Sequence, residues 1–144
     1  CCAELGAFAA GASPERRAAF RQFGISLGLA FQVQDDWLGI WGDAALTGKS
    51  TESDLVAGKK TLPVLYALQQ KSAFAERWSC GGVQADEVPR LSQLLVEEGA
   101  REYTEQTANR LTGEALAALD RAGEGSESAN VLRSLAEKLL NRSN

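Results

Sequence analysis

Between Phe20 and Trp41 the apolar residues Phe20, Phe23, Leu27, Ala30, Phe31, Leu38 and Trp41 recur at spacings of three, four and seven. That is the spacing of one buried helical face. Just upstream, Ser13 suits an N-cap, Pro14 the first helical position and Glu15 the acid-favouring first turn. The pattern predicts one helix from Pro14 to about Trp41, roughly 42 Å long at 1.5 Å per residue.

The same periodicity continues on both sides. Cys1 to Ala10 reads as a helix stopped by Gly11. Gly42 to Gly58 reads as a loop of glycines and short polar residues, long enough to suggest a function. Thr61 or Leu62 to Gln70 is the next expected helix, with Pro63 in its first turn. Ala73 to Cys80 is a short helix closed by Gly81 and Gly82, and Glu87 to Glu98 a helix with Gly99 as its C-cap. Ala100 to Ala122 carries Leu111, Ala115 and Leu119 inward. After a turn at residues 123–126, Ser128 to Leu140 forms a last helix with Val131, Leu132, Leu135 and Leu139 inward. Only three prolines occur, and alanine, leucine, glutamate and arginine dominate, so the expected class is all-α, one domain over residues 1–144.

A second stripe on the long helix reads Gly24, Gly28, Gln32, Asp35, Gly39, Gly42. Glycine inside a helix costs about 1 kcal/mol relative to alanine, so this stripe needs a reason. Two are available: close approach of a neighbouring segment, or the open wall of a cavity. The carboxylates tilt the choice toward a cavity.

Composition narrows the partners. The 144 residues carry a net charge of −4 without a basic block, which argues against nucleic acid and a polybasic membrane contact. No apolar run approaches the roughly 18 residues that cross a bilayer. Three cysteines, two of them adjacent, imply no disulfide framework and favour a reducing cytoplasm. Histidine is absent, removing the commonest zinc ligand and general base. There is no methionine, and the first helix begins in mid-pattern, so the sequence is expected to be part of a longer chain.

The chemistry concentrates in one stretch. Asp35 and Asp36 sit in the apolar run Phe31-Gln32-Val33-Gln34-Asp35-Asp36-Trp37-Leu38, followed by Thr47-Gly48-Lys49, Asp54 and Lys59-Lys60-Thr61-Leu62-Pro63. Carboxylates in an apolar helix are costly to desolvate unless neutralised. Mg2+ does that, held by one or two carboxylates plus substrate phosphates, and lysines meet the same phosphates as point charges. The stretch therefore reads as a Mg2+-diphosphate site. Trp37 and Trp41 are expected in the core or a dimer interface, and Arg16, Arg17 and Arg101 as solvated helix charges.

In these residues the chain resembles the carboxy-terminal half of the trans-isoprenyl diphosphate synthases, or polyprenyl synthetases. Phe31 to Pro63 is similar to their second aspartate-rich region and lysine loop. Glu4-Leu5-Gly6-Ala7 and Leu132-Arg133-Ser134-Leu135-Ala136 resemble the flanking family segments more loosely. The resemblance implies part of an isoprenoid-synthase-type helical bundle, cytoplasmic and homodimeric. It also implies condensation of an allylic diphosphate with isopentenyl diphosphate and several Mg2+ ions. Carried over, Asp35 is the principal metal ligand and Asp36 acts through water. Phe31 touches the hydrocarbon chain and Gln32 lies near the reacting centre. Lys49 and Lys59 contact the allylic diphosphate and its developing charge, and Asp54 holds the loop.

The family pattern has aspartates at its first, second and fifth positions, and Gly39 stands at the fifth. An aspartate there is expected to be tolerated or to improve Mg2+ affinity. The family's first aspartate-rich motif, its isopentenyl-diphosphate-binding arginines and its chain-length determinants lie upstream of the matched region. Two other readings remain: a non-catalytic subunit of a heteromeric synthase, and a helical terpene cyclase. The cyclase's usual downstream metal motif, with Asn, Ser or Thr and Glu, does not look like Asp35-Asp36.

Overall fold

The computed structural model describes residues 1–42, 53–123 and 126–140, and these form helices and turns without a strand. The chain is all-α, as the periodicity predicts. The helices are α1 (Cys2–Ala9), α2 (Pro14–Trp41), α3 (Ser53–Val56), α4 (Leu62–Gln70), α5 (Ala73–Ser79), α6 (Val88–Glu97), α7 (Ala100–Gly123) and α8 (Glu127–Leu140), with a 3-10 turn at Ala85–Glu87 before α6. None of them is long and apolar enough to cross a membrane.

Local chemistry explains the ends. Ser13 caps α2 through its Oγ, which accepts the Arg16 N–H at 3.4 Å. Gly11, with φ +69°, closes α1: its N–H reaches the Phe8 carbonyl, and the Ala12 N–H reaches that of Ala7. That paired closure, with glycine in the left-handed region, is a Schellman motif. Gly58 closes α3 in the same way, with φ +66° and bonds from Gly58 N–H to Leu55 and from Lys59 N–H to Asp54. The four-residue α3 lies inside the stretch expected to be loop. One helical turn carries too few residues for periodicity to show it.

The chain divides into two compact units, and α2 and α7 each contribute to both. The first comprises Cys1–Gln32 and Thr107–Asn144. Its core is Phe23, Ala115, Ala118, Leu119, Ala129 and Ala136, with Phe20, Leu27 and Leu132 partly buried against it. On α8 the inward face is Ala129, Leu132 and Ala136, while Val131 and Leu135, expected inward, are exposed. Arg16 is not simply solvated: its Nε donates to the Ala122 carbonyl at 2.7 Å, near the C-terminal end of α7, where a cation is favoured. Arg17 lies over the Phe8 ring, 5.5 Å from its centroid.

The second unit, Val33–Gln106, carries the larger core: Ile40, Leu55, Val64, Ala67, Phe74, Val83, Val88, Leu91, Leu95 and Ala100. Phe74 is fully buried, worth about 1.5–3 kcal/mol relative to exposure, and stacks on Trp78 at 5.4 Å. Trp41 packs partly buried against this core. Trp37 donates its Nε1–H to Glu105 at 3.0 Å, and Arg101 lies 5.3 Å from its ring centroid while pairing with the same glutamate. Arg101 is therefore part of a pin between α2 and α7 rather than a free helix charge.

Candidate diphosphate and metal site

The end of α2 presents Asp35 exposed and Asp36 half-buried, on successive positions of one helix. Phe31 and Gln32 lie one turn earlier on that helix, the first half-buried and the second exposed. Position 49 falls among residues 43–52, outside the described residues, so the expectation for Lys49 lies there too, as do those for Thr47 and Gly48.

The second half of the lysine loop is described, and it folds back onto α2. The Leu62 N–H donates to Asp36 Oδ2 at 2.9 Å, joining positions 26 apart in sequence. Leu62 is the first residue of α4, so its N–H is one of the donors a helix start leaves without an intrahelical partner. Thr61 sits at the N-cap but makes no side-chain capping bond, and its buried Oγ1 has no protein partner. Asp36 caps α4 in its place, and a carboxylate at a helix start is also favoured by the helix dipole.

The Schellman closure of α3 turns the chain so that Lys59 returns over Asp54. The Lys59 ammonium pairs with Asp54 Oδ1, and the Lys59 N–H bonds to the Asp54 carbonyl at 3.0 Å. The Asp54 side chain is buried, whereas that of Lys59 is 60% exposed and its ammonium stays open to a ligand. The hydrogen bond and charge of Asp54 raise the Lys59 pKa above its ordinary value, and the charges of Asp35 and Asp36 add to the rise. Two carboxylates and one lysine of the predicted set thus share one electrostatic neighbourhood. Asp54 contacts Lys59 through both its side chain and its carbonyl.

Gly39 lies against the loop acid Asp54. A Cβ at that position would run into the Asp54 carboxylate, with Cγ at only 2.8 Å. A side chain at 39 therefore requires the Asp54 carboxylate to shift. Elsewhere the stripe divides. Gly24 is approached by the Cys1 Sγ, 2.7 Å from a built Cβ, whereas nothing lies within 4 Å at Gly28.

Among the described residues no three carboxylate, thiol or imidazole side chains converge on a metal-sized space. The donors present are carboxylate oxygens, which suit a hard divalent cation that takes its remaining ligands from water and substrate phosphates. The sequence did not reveal the Leu62 N–H or the Glu105–Trp37–Arg101 pin. Backbone donors and long-range polar pairs leave no periodic signal.

Comparison with known proteins gives the family. Residues 1–94 match the family described as Polyprenyl synthetase. The chain is 39% identical over 124 residues to a geranylgeranyl diphosphate synthase of Mycobacterium tuberculosis, covering 83% of this chain and 35% of that protein. It is 36% identical over 143 residues to a geranylfarnesyl diphosphate synthase of Aeropyrum pernix, covering 97% and 45%. Among solved structures, a geranylgeranyl pyrophosphate synthase from Corynebacterium glutamicum complexed with isoprenyl diphosphate and magnesium matches at a TM-score of 0.83 and 34% identity, over 96% of this chain and 41% of that one. The chain thus spans less than half the length of these relatives. With that family model matched over residues 1–94 and these relatives 34–39% identical over most of the chain, the chain belongs to the polyprenyl synthetase family.

Proposed function

We propose that the protein is a Mg2+-dependent trans-prenyltransferase, condensing an allylic diphosphate with isopentenyl diphosphate to a longer diphosphate of the geranyl, farnesyl or geranylgeranyl type. Residues 1–144 would supply the carboxy-terminal part of one prenyl-synthase domain, working in a cytoplasmic homodimer. The observation that carries this reading is the Asp36–Leu62 bond, which ties the aspartate pair to the lysine loop. The relatives are synthases of such diphosphates, and one solved relative holds isoprenyl diphosphate with magnesium.

The barrier in such a reaction is charge separation as the allylic C–O bond breaks, so cations at the leaving diphosphate are the main device. Asp35 would be the principal ligand, Asp36 would assist through water, and the metal they hold would supply charge neutralisation at the diphosphate oxygens. Lys59 meets the diphosphate directly, its ammonium oriented by Asp54 and kept protonated by the surrounding carboxylates. Lys49 is assigned the same role. Phe31 lines the path of the hydrocarbon chain, and Gln32 lies near the reacting centre. No nucleophilic side chain is needed, which suits a chain without histidine.

Gly39 supports a second reading, a non-catalytic subunit paired with an active synthase, since one carboxylate of the family pattern is missing. Changing both Asp35 and Asp36 to Asn in the complete protein separates the two. Loss of Mg2+-dependent turnover with unchanged helicity is expected. Near-normal turnover would remove the metal assignment, and absence of turnover in the unaltered protein would favour the subunit.

A further inference from the structure

We propose that Asp36 is a positioning residue, and that its main contribution is to hold the lysine loop through the Leu62 N–H. This rests on the reading of Asp35 and Lys59 as diphosphate-binding groups. Asp36 is adjacent to Asp35, but its side chain takes another direction: Oδ2 accepts the Leu62 N–H at 2.9 Å. Leu62 follows Lys59, Lys60 and Thr61 without a break, so this one bond fixes where the loop joins α4.

The helix start makes the bond consequential. Pro63 has no N–H, and the Thr61 side chain does not cap. Asp36 therefore serves the first donor of α4 from another helix. Without it, the three residues before α4 keep as a side-chain tie the Asp54–Lys59 pair, which involves a mostly exposed lysine and is screened by salt, beside the backbone bonds from Lys59 N–H to Asp54 and from Leu65 N–H to Thr61.

Chemistry separates positioning from ligation. Asparagine keeps an oxygen that accepts the Leu62 N–H but loses the charge a cation needs, while alanine loses both. Proline at Leu62 deletes the donor and leaves Asp36 intact. It is suited to a first helical position, and Thr61 already has the extended backbone that precedes proline (φ −71°, ψ 165°).

The test uses the complete protein and compares Asp36→Asn, Asp36→Ala, Leu62→Pro and Asp36→Ala with Leu62→Pro together. Asp36→Asn should keep the KM for allylic diphosphate within about threefold of the parent, the loss of its charge showing only in a raised Mg2+ half-saturation. Asp36→Ala and Leu62→Pro should each raise that KM about fivefold or more, Leu62→Pro at the parental Mg2+ half-saturation and Asp36→Ala at that of Asp36→Asn, and the double variant should have a KM no worse than either single. Exchange of the Leu62 amide gives a readout that does not depend on turnover: it should quicken about tenfold in Asp36→Ala and stay protected in Asp36→Asn. An equally raised KM in Asp36→Asn and Asp36→Ala, with a parental KM in Leu62→Pro, would overturn the proposal in favour of ligation. An Asp36→Ala protein with parental KM and amide exchange would overturn it as well. Asp35→Asn reports separately on the metal reading, because it leaves the Leu62 bond untouched.

Discussion

Gly39 and Asp54 occupy complementary space: the carboxylate of one lies where the side chain of the other would begin. Position 39, where the resemblance leads to the expectation of an acid, is a glycine, and a buried acid from α3 stands against it.

This predicts opposite outcomes for single and paired changes. Gly39→Ala gains about 1 kcal/mol of helix propensity, but pushing Asp54 aside costs about 1–3 kcal/mol. The net is a destabilisation of about 1 kcal/mol. Gly39→Asp should be worse, because it adds a second carboxylate beside the first. Gly39→Asp with Asp54→Gly should recover most of the loss. Denaturant midpoints measure all three, and a fully stable Gly39→Asp single variant would mean that Asp54 swings away freely.

A second capping arrangement sets the start of α5. Glu98 accepts the Ser72 hydroxyl at 2.5 Å and the Phe74 N–H at 3.0 Å, and Ser72 makes no cap bond of its own. Phe74, the second residue of α5, is fully buried, so fraying here opens the core. Glu98→Ala should destabilise by about 1 kcal/mol, with Glu98→Gln intermediate, in chemical denaturation. Equal stability of the alanine variant would show that water replaces both bonds without loss.

How far the sequence carries depends on which forces were local. The bounds of α2 follow from Ser13, Pro14 and Glu15, three start signals packed together, and its length from an uninterrupted apolar period. The inward face of α8 was misjudged because Val131 and Leu135 outweigh alanine in any hydrophobic pattern. Close packing selects the smaller Ala129 and Ala136 instead. At the site, Asp35, Asp36 and Lys59 were legible as residue types at a spacing. The bond from Leu62 to Asp36 was not, since its donor is a backbone group that every non-proline residue carries.

The segment from Cys80 to Glu87 should be acid-sensitive. The Arg77 guanidinium hydrogen-bonded to Glu87 lowers the Glu87 pKa below its ordinary value, with the Gln84 N–H adding to the effect. Arg77 also donates to the carbonyls of Gly81 and Gly82, so the pair ties down the whole turn. A depressed carboxyl pKa contributes stability that is present above the unfolded value and is lost as pH falls through the folded one. The Tm difference between the parent and Glu87→Gln should therefore be constant from neutral pH to about pH 5 and shrink below about pH 4. A difference unchanged at pH 3 would show that the ionised pair adds nothing to this turn.

Asp54 offers a sharper test of how the loop places Lys59. Two contacts converge on it: its carboxylate takes the Lys59 ammonium, and its carbonyl takes the Lys59 N–H through the glycine closure of α3. Asp54→Asn keeps the shape against Gly39 and the backbone bond while removing the charge. The backbone turn therefore survives, and only the direction of the ammonium is released. A hydrogen bond to a charged group contributes about 1.5–3 kcal/mol, but an exposed lysine returns part of that to solvent, so the expected loss is about 1 kcal/mol. That loss should diminish with added salt, since the ammonium is largely exposed. Gly58→Ala attacks the same placement from the backbone side, because φ +66° is strained for any residue with a Cβ, and its expected loss of about 1 kcal/mol should not depend on salt. Tm values at low and high salt separate the two variants. Equal salt dependence would mean that the ion pair and the glycine turn are one coupled device, and that charge alone does not orient Lys59.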